Sequence, residues 1–165
     1  MPASRAASGM LRARPLLVGI MLLGIIGIGI AGYLTYVHYN EDALVCTTGG
    51  CETVQQSEYS TIGGIPIAIF GLLMFTTVTL LAAARLTDRL PISFETATML
   101  AWTMLLTSLL YYAYLTYIEV FELEAICQWC VSSSIVALLM FVLESILLFR
   151  DTSAEAESID PTSNR

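Results

Sequence analysis

The chain has 165 residues, 56% of them hydrophobic and 13% charged, with a mean hydropathy of +0.75 and a formal net charge of −7. Soluble domains carry about 25% charged residues, so half that fraction excludes a disordered polymer and disfavours a water-soluble globule. The seven basic residues are all arginine, and set against fourteen acids they leave no basic surface for nucleic-acid phosphates.

In chain order, residues 1–15 form an N-terminal tail whose Ser- and Ala-rich start, Met1–Met10, is expected to be unstructured. Leu16–Val37 then runs 22 residues without a charge, the length a helix needs to cross the hydrocarbon of a bilayer. The block is too long for the apolar region of a signal peptide and has no small-x-small cleavage site at a sensible distance. A loop carrying Cys46 and Cys51 follows, and Ile62–Ala84 is the second apolar block. Pro66 after Gly63-Gly64 suggests that this span starts as a broken helix. The short link Arg85–Phe94 offers Ser93 as N-cap to a third block, Thr96–Ile118. Glu119, Glu122 and Glu124 read as a solvated acidic rim before the fourth block, Ala125–Leu143, which continues through Glu144 to Phe149. Residues 151–165 are expected to be a disordered C-terminal tail. Backbone groups in lipid must bond within their own segment, so the prediction is an all-α membrane protein. It is a four-transmembrane-helix bundle over residues 16–150, with a loop cap on one side.

The arginines fix the expected orientation. Arg5, Arg12, Arg14, Arg85, Arg89, Arg150 and Arg165 all fall on one side of a four-span chain, and the other two loops carry only acids. The positive-inside rule places both termini in the cytoplasm and the loop cap outside. All four cysteines, Cys46, Cys51, Cys127 and Cys130, then face the extracytoplasmic side, where disulfides form and persist.

Cys127-Gln128-Trp129-Cys130 is a C-x-x-C at the start of a helix. Residues three apart share a helix face, and the helix N-terminus favours a thiolate on the first cysteine. Span four runs inward, so Cys130 lies about 4.5 Å deeper than Cys127 and would meet a lipid-soluble electron acceptor first. Cys46 and Cys51, joined through Gly49-Gly50, form a loop pair able to pass electrons between a soluble dithiol and the helix pair by direct sulfur contact. Two structural disulfides, or a four-thiolate zinc site, are the alternatives. With no histidine near and no second C-x-x-C, no metal is expected.

The segment Cys46-x4-Cys51-x2-Val54-x2-Ser57-x-Tyr59-Ser60, running into Gly64-Ile65-Pro66 and Gly71, and the Cys127-x2-Cys130 that opens the last span resemble the bacterial form of the vitamin K epoxide reductase family. The likeness covers roughly Leu16 to Arg150. It implies a four-helix bundle around a quinone pocket open to the outer side. It implies oxidation of a periplasmic DsbA-like thioredoxin-fold protein, with electrons passed to a membrane quinone, and so support of disulfide formation. By position, Cys130 would contact the quinone, Cys127 would pair with the loop, Cys46 and Cys51 would be the shuttle, and Ser57 would help hold the site. Cys51 is expected to attack Cys127, and Cys46 to meet the partner. Vertebrate members have a tyrosine four residues after the second cysteine of the C-x-x-C, where this chain has Ser134. An ordinary respiratory quinone, menaquinone or ubiquinone, is therefore expected in place of vitamin K epoxide. Some bacterial members carry a fused thioredoxin-like domain; this sequence ends at Arg165, so a separate DsbA-like partner is expected.

The remaining candidates are softer. Tyr111, Tyr112, Tyr114 and Tyr117 suit an interfacial aromatic belt, with Tyr114 the candidate to line the quinone ring, alongside Phe70 and Trp129. His38 reads as interfacial, and Glu144 as snorkelling or as paired with an arginine such as Arg85 or Arg89. A DsbB-type quinone-linked thiol oxidase is the nearest rival, but it has its C-x-x-C in the first outer loop, the reverse of this order. A non-enzymatic membrane protein with structural disulfides is the rival from another class.

Overall fold

The computed structural model of the chain describes residues 2–47, 49–87 and 92–159, with side chains described for 13–40, 42–47, 49–87 and 92–150. Its helices are α1 (Pro2–Tyr39), a short α2 (Cys51–Gln56), α3 (Ile67–Leu86), α4 (Phe94–Phe121) and α5 (Gln128–Ile159). Four segments are long and apolar enough to cross a membrane: Ala13–Tyr39, Ile67–Leu86, Phe94–Phe121 and Gln128–Arg150. Large apolar side chains such as Leu22, Leu73, Leu80, Leu110 and Phe149 point outward from them, as a lipid-facing surface requires. Several threonine hydroxyls inside the spans are satisfied locally. Thr76, Thr79, Thr103 and Thr107 each donate to the carbonyl four residues back, at 2.6–2.9 Å.

The element boundaries differ from expectation in three places. Helix α1 begins at Pro2 and α5 continues to Ile159; the flanking Ala, Arg, Leu and Glu residues are good helix formers, and α1 runs on through Gly9 and Pro15. Residues 160–165, including Arg165, lie outside the described residues, as do Arg89 and Pro91. The second span starts at Ile67 instead of Ile62. Gly63 and Gly64 both take positive φ, +59° and +82°, and turn the chain through a small hairpin of β1 (Thr61–Ile62) and β2 (Ile65–Pro66). Pro66 then caps α3. At α4, the expected Ser93 cap is present, its hydroxyl accepting from Thr96 N at 3.1 Å.

Helix α1 packs chiefly on α3 and α5, and α4 on α5, with a smaller contact between α3 and α4. The core between them is built on Leu17, Ile20, Phe75, Val78, Leu105 and Met140. Toward the end that carries Arg85, a fully buried ion pair joins α3 to α5. Arg85 grips both carboxylate oxygens of Glu144 and donates to Thr98 Oγ1 at 3.1 Å and to the Leu81 carbonyl at 3.2 Å. The Phe94 ring lies 5.8 Å from its guanidinium. A buried charge in lipid is tolerated only with a partner, and here the partner is Arg85 of the two arginines expected. The opposite end is capped by a turn at Glu41–Ala43, the cysteine loop, α2, a turn at Glu58–Ser60 and the hairpin.

Candidate redox site

The site grows from two short chain segments that meet at the capped end. Cys46 and Cys51 form a disulfide with their Cα atoms 5.9 Å apart. Cys51 opens α2 and is fully buried, while Cys46 is half-buried. Cys127 and Cys130 carry free thiols. Helix α4 ends at Glu122, and Glu124 takes a left-handed conformation (φ +47°) that turns the chain sharply back. This turn makes Cys127 the cap of α5, its carbonyl accepting from Val131 N at 3.1 Å.

The two pairs are stitched together by their neighbours. Thr47 donates through both N and Oγ1 to Gln128 Oε1, and Trp129 Nε1 donates to the Val45 carbonyl at 2.9 Å. The residues on either side of Cys46 are thus bonded to the two residues between Cys127 and Cys130. Gly50 packs against the Ile126 backbone so closely that a Cβ there would stand 2.7 Å from Ile126 N; only glycine brings α2 this near. Tyr33 completes the brace, stacking on Trp129 at 4.7 Å, accepting from Val45 N at 2.8 Å and donating to the Ala43 carbonyl at 3.1 Å. These bonds tie the loop to the turn that carries Cys127 and Cys130.

Cys127 sits where a thiolate is favoured. The Cys130 thiol donates to it and the Trp129 and Cys130 N–H groups point at it, outweighing burial and drawing its pKa down to about 7. Cys130, one turn further along α5, lies on the wall of a cavity of about 330 Å³ among the four long helices. That volume is at the lower end of the range for small-molecule pockets. Its lining is mainly apolar, with Ala31, Leu34, Ile67, Phe70, Met74 and Leu115, and the cap closes one side through Val54, Ser57 and Tyr59. Two polar groups lie deep in it: the Tyr112 hydroxyl, and Ser133 Oγ beside it, which is buried and makes no hydrogen bond of ordinary geometry. An apolar chamber with one thiol and an unpaired hydroxyl suits an apolar ring that carries oxygen acceptors.

Of the residues expected at this chamber, Cys130, Ser57 and Phe70 line it. Ser57 also ends α2, its hydroxyl donating to the Val54 carbonyl at 2.8 Å. Tyr114 does not line it. It lies half exposed on the outer face of α4, stacked on Tyr111, while Tyr111 and Tyr112 face the cavity. Helical rotation decides this: a step of two residues carries a side chain to the opposite face. Trp129 is also outside the chamber and serves instead as the brace described above. His38 lies away from the site, edge-on to Tyr39 at 5.4 Å.

Glu119 is the residue the sequence reading placed wrongly. It is 4% exposed, lines the cavity, accepts from Cys127 N at 3.2 Å and interacts with the Cys130 side chain. Glu122 and Glu124 are exposed, as expected of a rim. A signal was available: Glu119 lies within one turn of the end of a continuous apolar helix, where a carboxylate needs a partner.

Four membrane-length helices, paired cysteines and an apolar chamber touched by one sulfur are the parts of a membrane thiol–disulfide oxidoreductase. The profile of the vitamin K epoxide reductase family matches residues 18–145, well over half of the sequence, and the chain belongs to that family.

Proposed function

We propose that this protein is a membrane thiol–quinone oxidoreductase that oxidises an extracytoplasmic, separate DsbA-like thioredoxin-fold partner and delivers the electrons to menaquinone or ubiquinone. The observation that carries this reading is the order of the sulfurs. Half-buried Cys46 is bonded to buried Cys51, the loop holding them is tied to the Cys127–Cys130 turn, and Cys130 faces the chamber. The confinement of arginine to the other side supports an outward-facing site with both termini in the cytoplasm.

In this mechanism the partner's thiolate attacks Cys46 Sγ, the more accessible sulfur, and Cys51 leaves as thiolate. The partner's second thiol resolves the mixed disulfide and departs oxidised. Cys51 then attacks Cys127 of a Cys127–Cys130 disulfide, releasing Cys130, and Cys46 closes back on Cys51. The thiols of Cys127 and Cys130 now hold the two electrons. A quinone, when bound, supplies the two-electron acceptor. Cys130 faces it, Phe70 and Met74 cover it, and the Tyr112 and Ser133 hydroxyls offer donors to an oxygen. As the Cys127–Cys130 bond re-forms, two electrons and two protons leave the pair. A DsbA-like dithiol is itself strongly oxidising, at about −120 mV, so only an acceptor of higher potential keeps it oxidised. The test mixes purified protein, reduced DsbA-like protein and menadione, and follows quinol formation. Quinol appearing at the same rate in Cys130→Ser would sink the reading.

A further inference from the structure

We propose that Glu119 is a catalytic residue, the base that takes the proton from the Cys130 thiol and passes it on to a quinone oxygen; this rests on the function proposed above. The carboxylate is buried between the two sulfurs and the chamber. Its Oε2 accepts the Cys127 N–H at 3.2 Å, the carboxylate interacts with the Cys130 thiol, and the group forms part of the cavity wall. The titratable groups that interact with it are Cys127 and Cys130 at the start of α5, while Tyr111 and Tyr112 of its own helix and Tyr59 of the cap line the same chamber. Among the described residues, no arginine lies at this end. The contrast with Glu144 sharpens the inference. Glu144, equally buried, is gripped on both carboxylate oxygens by Arg85. Glu119 has a backbone amide and a thiol as its partners and, among the described residues, no cation.

The proton balance needs such a group. Forming the Cys127–Cys130 bond removes two electrons and two protons from the pair, and quinol takes up both. Cys127, which is fully buried, enters the step as the thiolate released when Cys46 closed on Cys51, its share of the protons already given up with the partner dithiol's oxidation. Cys130 sits against an apolar chamber, where bulk water cannot accept its proton. In the proposed step Cys130 Sγ–H gives its proton to a Glu119 carboxylate oxygen as the sulfur–sulfur bond forms and the electron pair passes to the ring. Glu119 then releases that proton to one oxygen of the reduced ring. The second oxygen draws its proton from water.

The experiment compares wild type, Glu119→Gln and Glu119→Asp. Glutamine keeps an acceptor for the Cys127 N–H but cannot carry a proton, so it separates catalysis from capping. In reduced protein mixed with menadione, Glu119→Gln is expected to form quinol on the order of 100-fold more slowly, the usual worth of a general base, while Glu119→Asp recovers part of the rate. Reduction of the Cys46–Cys51 disulfide by dithiothreitol should be unchanged in both variants. A readout independent of quinone uses the Cys127→Ser background, where Cys130 alone is alkylated by N-ethylmaleimide. With Glu119 present, the rate should level off across neutral pH and be slower in D₂O. With Gln it should fall about tenfold per pH unit, without that isotope effect. Faster alkylation in Glu119→Gln would mean that the carboxylate only repels the thiolate, and would overturn the proposal. Unchanged quinol formation, or equal slowing of disulfide reduction and quinol formation, would also overturn it. If wild type itself fails to reduce menadione, it is the proposed function that falls, and the alkylation profile still decides the role of Glu119 as a base.

Discussion

The two ends of the bundle bury a glutamate each and use it in opposite ways. At one end Glu144 is locked by both arms of Arg85, with Thr98 and a backbone carbonyl completing the arginine's bonding. At the other, Glu119 faces sulfur atoms and a cavity whose wall also holds the buried Ser133 hydroxyl, which makes no hydrogen bond of ordinary geometry. A region whose polar groups are all matched holds the helices together. A region whose polar groups are left partly unmatched is arranged for something that arrives. The difference identifies the working end without reference to any ligand.

The comparison can be broken most severely at the sulfurs. Cys127→Ser or Cys130→Ser is expected to abolish quinone-dependent oxidation of a reduced DsbA-like protein while leaving thermal unfolding in detergent near wild type. Substitution at the matched end should do the reverse. Glu144→Gln strands the Arg85 charge and should cost about 3–5 kcal/mol of stability, seen as a lower unfolding temperature, with the folded fraction still active. The paired replacement Arg85→Met with Glu144→Leu should recover most of that loss.

A smaller effect follows from Cys127. The Cys130 thiol and the helix N–H groups set its pKa at about 7. Below that pH the reactive thiolate is lost, so alkylation of Cys127 should slow about tenfold per unit as pH falls below 7, and level off above it. Ser133→Ala should leave stability unchanged or improved, since an unsatisfied buried hydroxyl costs about 1–3 kcal/mol, yet raise KM for menadione several-fold. The gentlest intervention is Trp129→Phe, which keeps the stacking on Tyr33 but removes the bond to Val45. Losing one such bond is worth about 1 kcal/mol, or roughly fivefold in the rate of disulfide transfer between the two pairs.

Much of this architecture was legible in the sequence because lipid allows few solutions. Uncharged runs at Leu16–Val37 and Thr96–Ile118 could only be helices, and the cost of a lone charge made Arg85 one of the partners open to Glu144, beside snorkelling. The cysteine spacing located the chemistry. What escaped was set by rotation and by contacts distant in sequence. Tyr114 and Tyr112 are two residues apart, and only the packed helix shows that Tyr112 turns inward. Trp129 looked like a ring for stacking on a ligand, but its partner is Tyr33, on a helix far away in the chain. Glu119 resembled its neighbours Glu122 and Glu124 until the turn at Glu124 folded Cys127 back over it.

The bonds from Val45 and Thr47 to Trp129 and Gln128 carry a kinetic consequence for the mechanism proposed here. They anchor the loop at points other than its disulfide, so opening that disulfide does not set the loop adrift. The liberated Cys51 thiolate then meets its target at the effective concentration of a short tether, in the millimolar range or above. Glutathione and other stray thiols must compete with that local excess, and the handover between the pairs runs at a rate independent of how much partner protein surrounds the membrane.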